Sequence, residues 1–189
     1  QLPWFDAQED ARGVQFTLQT ELDPRPVMPE IIVGGGAAID FDDDGWMDLY
    51  LLQASGEGGN RLLRNRGDGT FEDKTESAGL MRALGTMSGV PGDVDNDGWV
   101  DIYLGNGGPQ MGRRDPDVLY QNRGDGTFVD ATLAAGLGHV GKSHGVSFAD
   151  YDRDGDLDLY APVGGAQPGD QWPNALYRNE GFGNHYLVL

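Results

Sequence analysis

The chain has 189 residues, which predicts a single domain, and its formal charge of −18 comes from 31 acidic and 13 basic residues. This balance excludes a nucleic-acid surface, which needs clustered basic charge. The sequence contains no cysteine, and therefore no disulfide framework. It also lacks the run of about 18 apolar residues that would predict a transmembrane segment. The 31 glycines indicate many turns.

The N-terminal segment matches the end of a unit that recurs later in the chain. Trp4-Phe5-Asp6 followed by Ala11 corresponds to Phe71-Glu72-Asp73 followed by Ala78. Three prolines after this segment mark an irregular connection. We therefore expect residues 1–33 to contain the last strand of a preceding repeat plus a lead-in segment.

An acidic nonapeptide, Asp40-Phe-Asp-Asp-Asp-Gly-Trp-Met-Asp48, follows and recurs at residues 93–101 and 150–158 as D-x-D-x-D-G-x-x-D. Two carboxylates about 5 Å apart at an effective dielectric of about 20 repel by roughly 3 kcal/mol. A hard divalent cation removes that cost, and the glycine at position 6 permits the sharp turn between ligands. An acidic, solvated turn without metal is the alternative, which three copies with one spacing disfavour. The motif predicts three Ca²⁺ sites, one per repeat.

The closing ligand distinguishes these motifs from an EF-hand, which uses a glutamate at position 12. Position 12 here is Leu51, Leu104 or Ala161, so the closing carboxylate must be position 9. The alternating apolar residues after each motif predict strands, which places the loops at β-turns. The predicted ligands are the carboxylates of positions 1, 3, 5 and 9 and the main-chain carbonyl of position 7: Asp40, Asp42, Asp44, Trp46 and Asp48; Asp93, Asp95, Asp97, Trp99 and Asp101; Asp150, Asp152, Asp154, Asp156 and Asp158.

A second marker gives the repeat its period. Asn65, Asn122 and Asn179 are each 57 residues apart, and each precedes a glycine-rich hairpin turn. Each unit reads as four short strands, which predicts an all-β fold of propeller-type blades. We expect one β-propeller-like repeat domain over residues 1–189, with repeats at approximately 34–80, 87–137 and 144–189. Propellers have about four to eight blades, so three repeats predict a partial propeller: a fragment, an open wedge or one half of an assembled ring.

The pairing of D-x-D-x-D-G-x-x-D with L-Y-R-N-x-G-D-G-T-F resembles the FG-GAP/VCBS repeats of integrin-α-type β-propellers. It resembles more closely the repeat region of the ASPIC/UnbV (cartilage acidic protein-like) group. The resemblance covers nearly the whole chain, although Phe182 stands where the other repeats have Asp68 and Asp125. It implies Ca²⁺ in the loops, a secreted, periplasmic or cell-surface setting and interaction functions, with no known reaction.

These observations favour a calcium-binding extracytoplasmic module that serves protein–protein interaction or acts as a structural or accessory subunit of a larger complex. The alternative is a carbohydrate-binding or enzymatic propeller that uses its rim loops, with exposed Trp46 and Trp99 as a contact surface. We expect no catalytic site, because His139, His144 and His185 belong to no recognisable catalytic motif.

Overall fold

The computed structural model describes residues 9–14, 16, 35–53, 59–82, 84–107, 115–164 and 172–181. Within these residues lie one short helix, α1, and eleven strands. No helix in this part of the chain is long and apolar enough to cross a membrane. The elements are α1 (Glu9–Arg12), β1 (Gly35–Ile39), β2 (Asp48–Leu52), β3 (Arg61–Asn65), β4 (Phe71–Asp73), β5 (Thr86–Gly92), β6 (Asp101–Asn106), β7 (Val118–Asn122), β8 (Phe128–Asp130), β9 (Ser147–Ala149), β10 (Asp158–Ala161) and β11 (Ala175–Tyr177).

The strands form three separate antiparallel sheets, each a simple meander in chain order. Blade 1 contains β1 to β4, blade 2 contains β5 to β8, and blade 3 contains β9 to β11. The prediction of all-β, propeller-type blades is confirmed, and the described strands form no closed ring. The fourth strand predicted for blade 3 and the strand predicted at Trp4 lie outside the described residues. The repeat boundaries given above stay a prediction.

The blades stack face to face because the strands of blade 2 are apolar on both sides. Successive side chains of a strand point to opposite faces. In β6, Ile102 and Leu104 join the core shared with blade 1, whereas Tyr103 between them joins the core shared with blade 3. All six residues of β6 are buried as a result.

The asparagine that ends the third strand of a blade connects that blade to the one before it. The Nδ2 of Asn122 donates to the carbonyl of Phe41 in blade 1 at 2.8 Å and to Val100 in its own blade at 3.2 Å. The Nδ2 of Asn179 likewise donates to Val94 of blade 2 at 2.7 Å. The accepting residue is position 2 of the preceding acidic loop (residues 40–48 or 93–101) in both cases. These two acidic loops therefore lie at contacts between blades.

A second polar contact recurs at the other end of the strands. In blade 1, Asn60 Nδ2 donates to the hydroxyl of Tyr50 and to Thr86 Oγ1 of blade 2, both at 3.1 Å. In blade 2, the hydroxyl of Ser143, which precedes β9, donates to Asp117 Oδ2 at 2.6 Å. Burial raises the pKa of Asp117. These buried polar groups are satisfied across the blade boundary, so each boundary has hydrogen bonds at both ends of the strands beside its apolar core.

The contact between blades 2 and 3 is less tightly filled than that between blades 1 and 2. At the first boundary Phe128 stacks on Phe41 with 6.2 Å between ring centroids, and its N–H donates to the carbonyl of Ala78 at 2.9 Å. At the second boundary a cavity of about 280 Å³ is lined by apolar side chains, among them Val94, Leu119 and Leu159, and also by the polar residues Arg178, Asn179 and Glu180. The residue 57 positions after Phe128 is His185, which lies outside the described residues.

The asparagine contact between blades can be measured with a matched pair of variants. Asn122→Ala removes a buried hydrogen bond across the boundary together with bonds inside its own blade, whereas Asn65→Ala removes bonds to Met47 and Gly67 inside blade 1. We expect Asn122→Ala to lower the free energy of unfolding by about 1–2 kcal/mol more than Asn65→Ala, measured by urea denaturation. Equal losses would show that the bond to Phe41 contributes nothing to the stacking of the blades.

Candidate metal centres

The three acidic loops share one backbone conformation. Each loop joins the first two strands of its blade and has left-handed residues at positions 4 and 6. The glycines at position 6 have φ values of 86°, 93° and 100° (Gly45, Gly98 and Gly155), and position 4 has φ values of 53°, 55° and 65° (Asp43, Asn96 and Arg153). The motif predicted the need for glycine at position 6. Nothing in the sequence indicated that position 4 is also left-handed, since it is Asp, Asn or Arg in the three loops.

The structure brings together the carboxylates of positions 1, 3 and 9 in every loop. One oxygen from each of the three residues lies within 4.8 Å of the others: Asp40, Asp42 and Asp48; Asp93, Asp95 and Asp101; Asp150, Asp152 and Asp158. The carboxylates at position 5 lie outside these groups and accept N–H bonds from position 7 at 2.8 to 3.1 Å: Asp44, Asp97 and Asp154. Ligation by position 5 and by the carbonyl of position 7 stays a prediction.

Position 9 is the buried centre of each loop. Asp101 accepts the N–H of Val94 from its own loop at 3.1 Å and the N–H of Asn122 from the third strand at 2.8 Å. Asp48 and Asp158 make the same two bonds in their own blades. Burial raises the pKa of Asp101 to about 7 and that of Asp48 to about 6, although the backbone hydrogen bonds oppose this shift. The ionised carboxylate is thus disfavoured by its own burial, a cost that a bound cation would offset.

One carboxylate oxygen in the first loop has no hydrogen-bond partner. Asp42 Oδ1 is buried and unpartnered, while its Oδ2 accepts the Nε of Arg64 at 2.5 Å. Asp42 belongs to the group with Asp40 and Asp48. An orphaned carboxylate oxygen among other carboxylates is the donor that a hard, oxygen-binding cation requires. The residues present therefore fit Ca²⁺.

The third strand supplies a partner for position 3 that the sequence analysis missed. In blade 1, Arg64 contacts Asp42 and also Asp44 at 2.6 Å. In blade 3, Arg178 contacts Asp152 at 2.7 Å and Asp154 at 3.1 Å. At the same place in blade 2 stands Gln121, whose Nε2 donates to Asp95 Oδ2 at 2.5 Å. In the sequence, these partners are the residues directly before the asparagines that recur every 57 positions. The partner is a cation in two loops and neutral in the second.

The two tryptophans at position 7 pack within their own blades. A Cβ atom added to Gly67 would lie 2.8 Å from Trp46 Nε1, and one added to Gly124 would lie 2.6 Å from Trp99 Nε1. Each ring therefore lies against the glycine of the hairpin turn between the third and fourth strands.

The role of position 9 can be separated from metal binding. Asp101→Ala leaves the N–H groups of Val94 and Asn122 without an acceptor, so in excess chelator it should lower the free energy of unfolding by about 2–5 kcal/mol. The control, Asp97→Ala, also removes the acceptor of one N–H, that of Trp99, but at an exposed position where water can replace it, so it should cost less than about 1 kcal/mol under those conditions. Urea denaturation measures both variants, and equal effects would contradict a metal-independent role for Asp101.

The repeats of this chain are similar to those of known proteins. A family model described as FG-GAP-like repeat matches residues 40–104 and 106–161, more than half of the chain. Cartilage acidic protein 1 of Homo sapiens is 33% identical over 96 residues, which cover 50% of this chain and 14% of that protein. The protein of the same name from Xenopus tropicalis is 32% identical over 134 residues, which cover 65% of this chain and 20% of that protein.

One solved structure is similar over most of the chain. It is a lectin of Agrocybe aegerita described as recognising non-reducing terminal N-acetylglucosamine, with a TM-score of 0.43 and 21% identity over 84% of this chain and 38% of the lectin chain. Similarity at this level transfers no ligand to the present chain. The chain spans one fifth or less of the length of its cartilage acidic protein relatives. On this family match, the chain belongs to the FG-GAP-like repeat family, and its similarity to cartilage acidic protein 1 supports a place in the group of that protein.

Proposed function

We propose that this chain is a calcium-binding extracytoplasmic propeller module that serves protein–protein interaction or a larger assembly and has no catalytic role. The observation that carries the proposal is the gathering of three carboxylates, one of them fully or almost fully buried, at the same place in each of three blades. Three like-charged groups in partly buried positions repel one another unless a cation lies between them.

The donor set favours Ca²⁺ over other metals. Each group offers carboxylate oxygens alone, without the cysteine or histidine ligands that zinc and other softer metals select. Ca²⁺ takes six to eight oxygens in flexible geometry. A loop with carboxylates at positions 1, 3, 5 and 9 and a carbonyl at position 7 supplies such a set, and Asp42 Oδ1 is the donor that is buried and unpartnered.

A bound metal would stabilise the hydrogen-bonded contacts between blades. Position 9 holds the loop to the third strand of its blade through Asn122 N–H, and the side chain of the same asparagine reaches the carbonyl of Phe41 in the preceding loop. A cation in a loop would fix the residues that present this carbonyl. Bound Ca²⁺ thereby supports the stacking of blades, which is a structural role.

The calcium concentration that such sites need supports an extracytoplasmic setting. Ca²⁺ sites of extracellular modules have dissociation constants of about 10⁻⁴ to 10⁻³ M and fill only where calcium is abundant. Two of the three loops have an arginine of the third strand beside position 3, and its positive charge weakens cation binding. Loops of this kind suit a compartment with millimolar calcium.

The proposal predicts a calcium-dependent stability. Ca²⁺ at 100 times its dissociation constant should add about 2.7 kcal/mol of stability per independent site, because it binds the folded state alone. Excess chelator should therefore lower the melting temperature by many degrees, and Asp152→Ala should remove the contribution of loop 3. Calorimetric titration should count three sites. A melting curve that chelator leaves unchanged would sink the proposal.

The second loop should bind Ca²⁺ more tightly than its neighbours, because Gln121 stands where Arg64 and Arg178 stand. A unit positive charge about 6 Å from a divalent ion costs about 1.4 kcal/mol in a water-like dielectric, which is tenfold in affinity. Gln121→Arg should weaken loop 2 about tenfold, and Arg64→Gln should strengthen loop 1 by a similar factor.

Terbium luminescence can report this second loop by itself. Trp99 lies at position 7 of loop 2 and can sensitise Tb³⁺ bound there, and Trp46→Phe removes the corresponding signal from loop 1. Titration with Ca²⁺ then displaces Tb³⁺ and gives the affinity of loop 2 with and without Gln121→Arg. Equal affinities would contradict the electrostatic role of the third-strand residue.

A further inference from the structure

The second acidic loop contacts the third directly through its position 4. Asn96 Nδ2 donates to Asp156 Oδ1 at 2.7 Å and to the carbonyl of Gly155 at 3.4 Å. Asn96 lies between β5 and β6 of blade 2, whereas Gly155 and Asp156 are positions 6 and 7 of the loop between β9 and β10 of blade 3. Loops 2 and 3 (residues 93–101 and 150–158) are therefore joined by a hydrogen bond between the loops themselves.

The acceptor of this bond depends on an exchange at position 7. In loops 1 and 2 the residue is tryptophan, and its ring lies against the glycine of its own hairpin turn. In loop 3 the residue is Asp156, and a Cβ atom added to Gly181, the equivalent of Gly124, would collide with Asp156 Oδ2. The carboxylate thus takes the place of the ring, while its other oxygen accepts the bond from blade 2.

The same two positions of loops 1 and 2 do not form this bond. Position 4 of loop 1 (residues 40–48) is Asp43, an exposed carboxylate that has no proton to donate when it is ionised. Its counterpart in loop 2 is Trp99, whose ring lies against Gly124 of its own blade. Asn96, in contrast, is half-buried at the boundary between blades 2 and 3. The bond is thus a difference between two pairs of loops that are otherwise built alike.

Each partner of the bond lies within a proposed set of metal ligands. Asn96 stands between positions 3 and 5 of loop 2, and the carbonyl of Asp156 is the proposed position-7 ligand of loop 3. A cation in loop 2 would fix the backbone that carries Asn96, so that its side chain holds Asp156 in place before loop 3 binds. Because binding linkage is reciprocal, a cation in loop 3 would raise the affinity of loop 2 by the same factor.

We propose that Asn96 is a positioning residue for the metal site of loop 3, and that its bond to Asp156 makes Ca²⁺ binding by loops 2 and 3 cooperative. The inference rests on the proposed calcium function and deepens it by assigning a coupling to particular sites. Repulsion between bound cations and the asparagine contacts to position 2 act at both pairs of neighbouring loops. The bond from Asn96 acts at one pair, so loop 2 is coupled more strongly to loop 3 than to loop 1.

Nuclear magnetic resonance can follow the three loops separately during a titration with Ca²⁺. In every loop the N–H of the glycine at position 6 donates to the carboxylate of position 1: Gly45, Gly98 and Gly155. Each of these amide resonances should shift as its own loop fills. The affinity of loop 2 is therefore read from Gly98 whether or not loop 3 binds a cation.

Emptying loop 3 measures the coupling. Asp152→Ala removes binding by loop 3 and should weaken loop 2 at least about fivefold, the lower end of typical coupling between sites. In a chain that also carries Asn96→Gly, the same change should weaken loop 2 less than about twofold, because the bond between the loops is already gone. Glycine suits position 4, since it adopts the φ of 55° found at Asn96 without strain.

Matched variants separate this bond from a general effect on the loops. Asp43→Gly makes the corresponding change at position 4 of loop 1, which has a φ of 53°, and should leave the coupling between loops 2 and 3 unchanged. Asp156→Asn keeps an oxygen acceptor for Asn96 and should keep the coupling, whereas Asp156→Ala should abolish it. The pair of Asp156 variants also completes the test if Asn96→Gly fails to fold.

The outcomes separate this inference from the proposed function. Shifts of all three glycine resonances, with a loop 2 affinity that does not change when loop 3 is emptied, overturn the coupling and leave the calcium module intact. Equal weakening of loop 2 with and without Asn96→Gly also overturns it, because the coupling then passes through another contact. The same holds if emptying loop 1 with Asp42→Ala weakens loop 2 as much as emptying loop 3 does. Failure of all three resonances to respond to Ca²⁺ contradicts the proposed function instead.

Discussion

The structure depends on one buried carboxylate per blade, the aspartate at position 9 of the metal loop. Its two oxygens accept an N–H from the loop and an N–H from the third strand, so it joins parts of the blade that are about 20 residues apart in sequence. The residue that gives the third-strand N–H is the asparagine whose side chain reaches the preceding blade. This one carboxylate therefore contributes to the conformation of the loop, to the attachment of the loop to the third strand and, through the asparagine, to the stacking of blades. Any change in its charge or in a bound cation acts on all three.

Charge and burial conflict in these loops, and the fold resolves the conflict differently from blade to blade. Burial raises the pKa of Asp48 and Asp101, because the surrounding protein solvates a carboxylate less well than water does. Blades 1 and 3 place an arginine beside position 3, whereas blade 2 uses Gln121. Three bound Ca²⁺ would bring the formal charge from −18 to −12. The middle loop, which lies between two blades, is the one in which a metal would be the principal counter-charge.

Because the repeats are equivalent, the exposure of the same position can be compared from blade to blade. Each repeat buries its apolar surface against its neighbours rather than within itself, so the same positions show what a covered and an uncovered blade look like. Tyr103 and Tyr160 are equivalent in sequence, yet the first is fully buried and the second is 42% exposed. The difference lies in what stands next to the blade. Exposure at a repeated position thus shows whether a described blade packs against it.

The strands, the acidic loops and the grouping of carboxylates from positions 1 and 9 followed from the sequence, because they depend on local spacing. Alternation of apolar residues sets the strands, and glycine at position 6 sets the turn. A leucine or alanine at position 12 moves the closing ligand to position 9, and the structure brings Asp48, Asp101 and Asp158 into the three carboxylate groups. These features involve residues within nine positions of one another, where the period of the side chains determines which groups can meet.

The tertiary structure decided the contacts between distant residues. Asn122 and Phe41 are 81 positions apart, and no local pattern links an asparagine after one strand to a carbonyl in another blade. The arginine and glutamine partners of position 3 and the packing of Trp46 on its own hairpin appear only once the strands of one blade are paired. The burial of β6 on both faces appears only once the sheets are stacked. The reason is physical: local spacing fixes where a side chain points along its strand, whereas the neighbour that it meets depends on how whole blades pack.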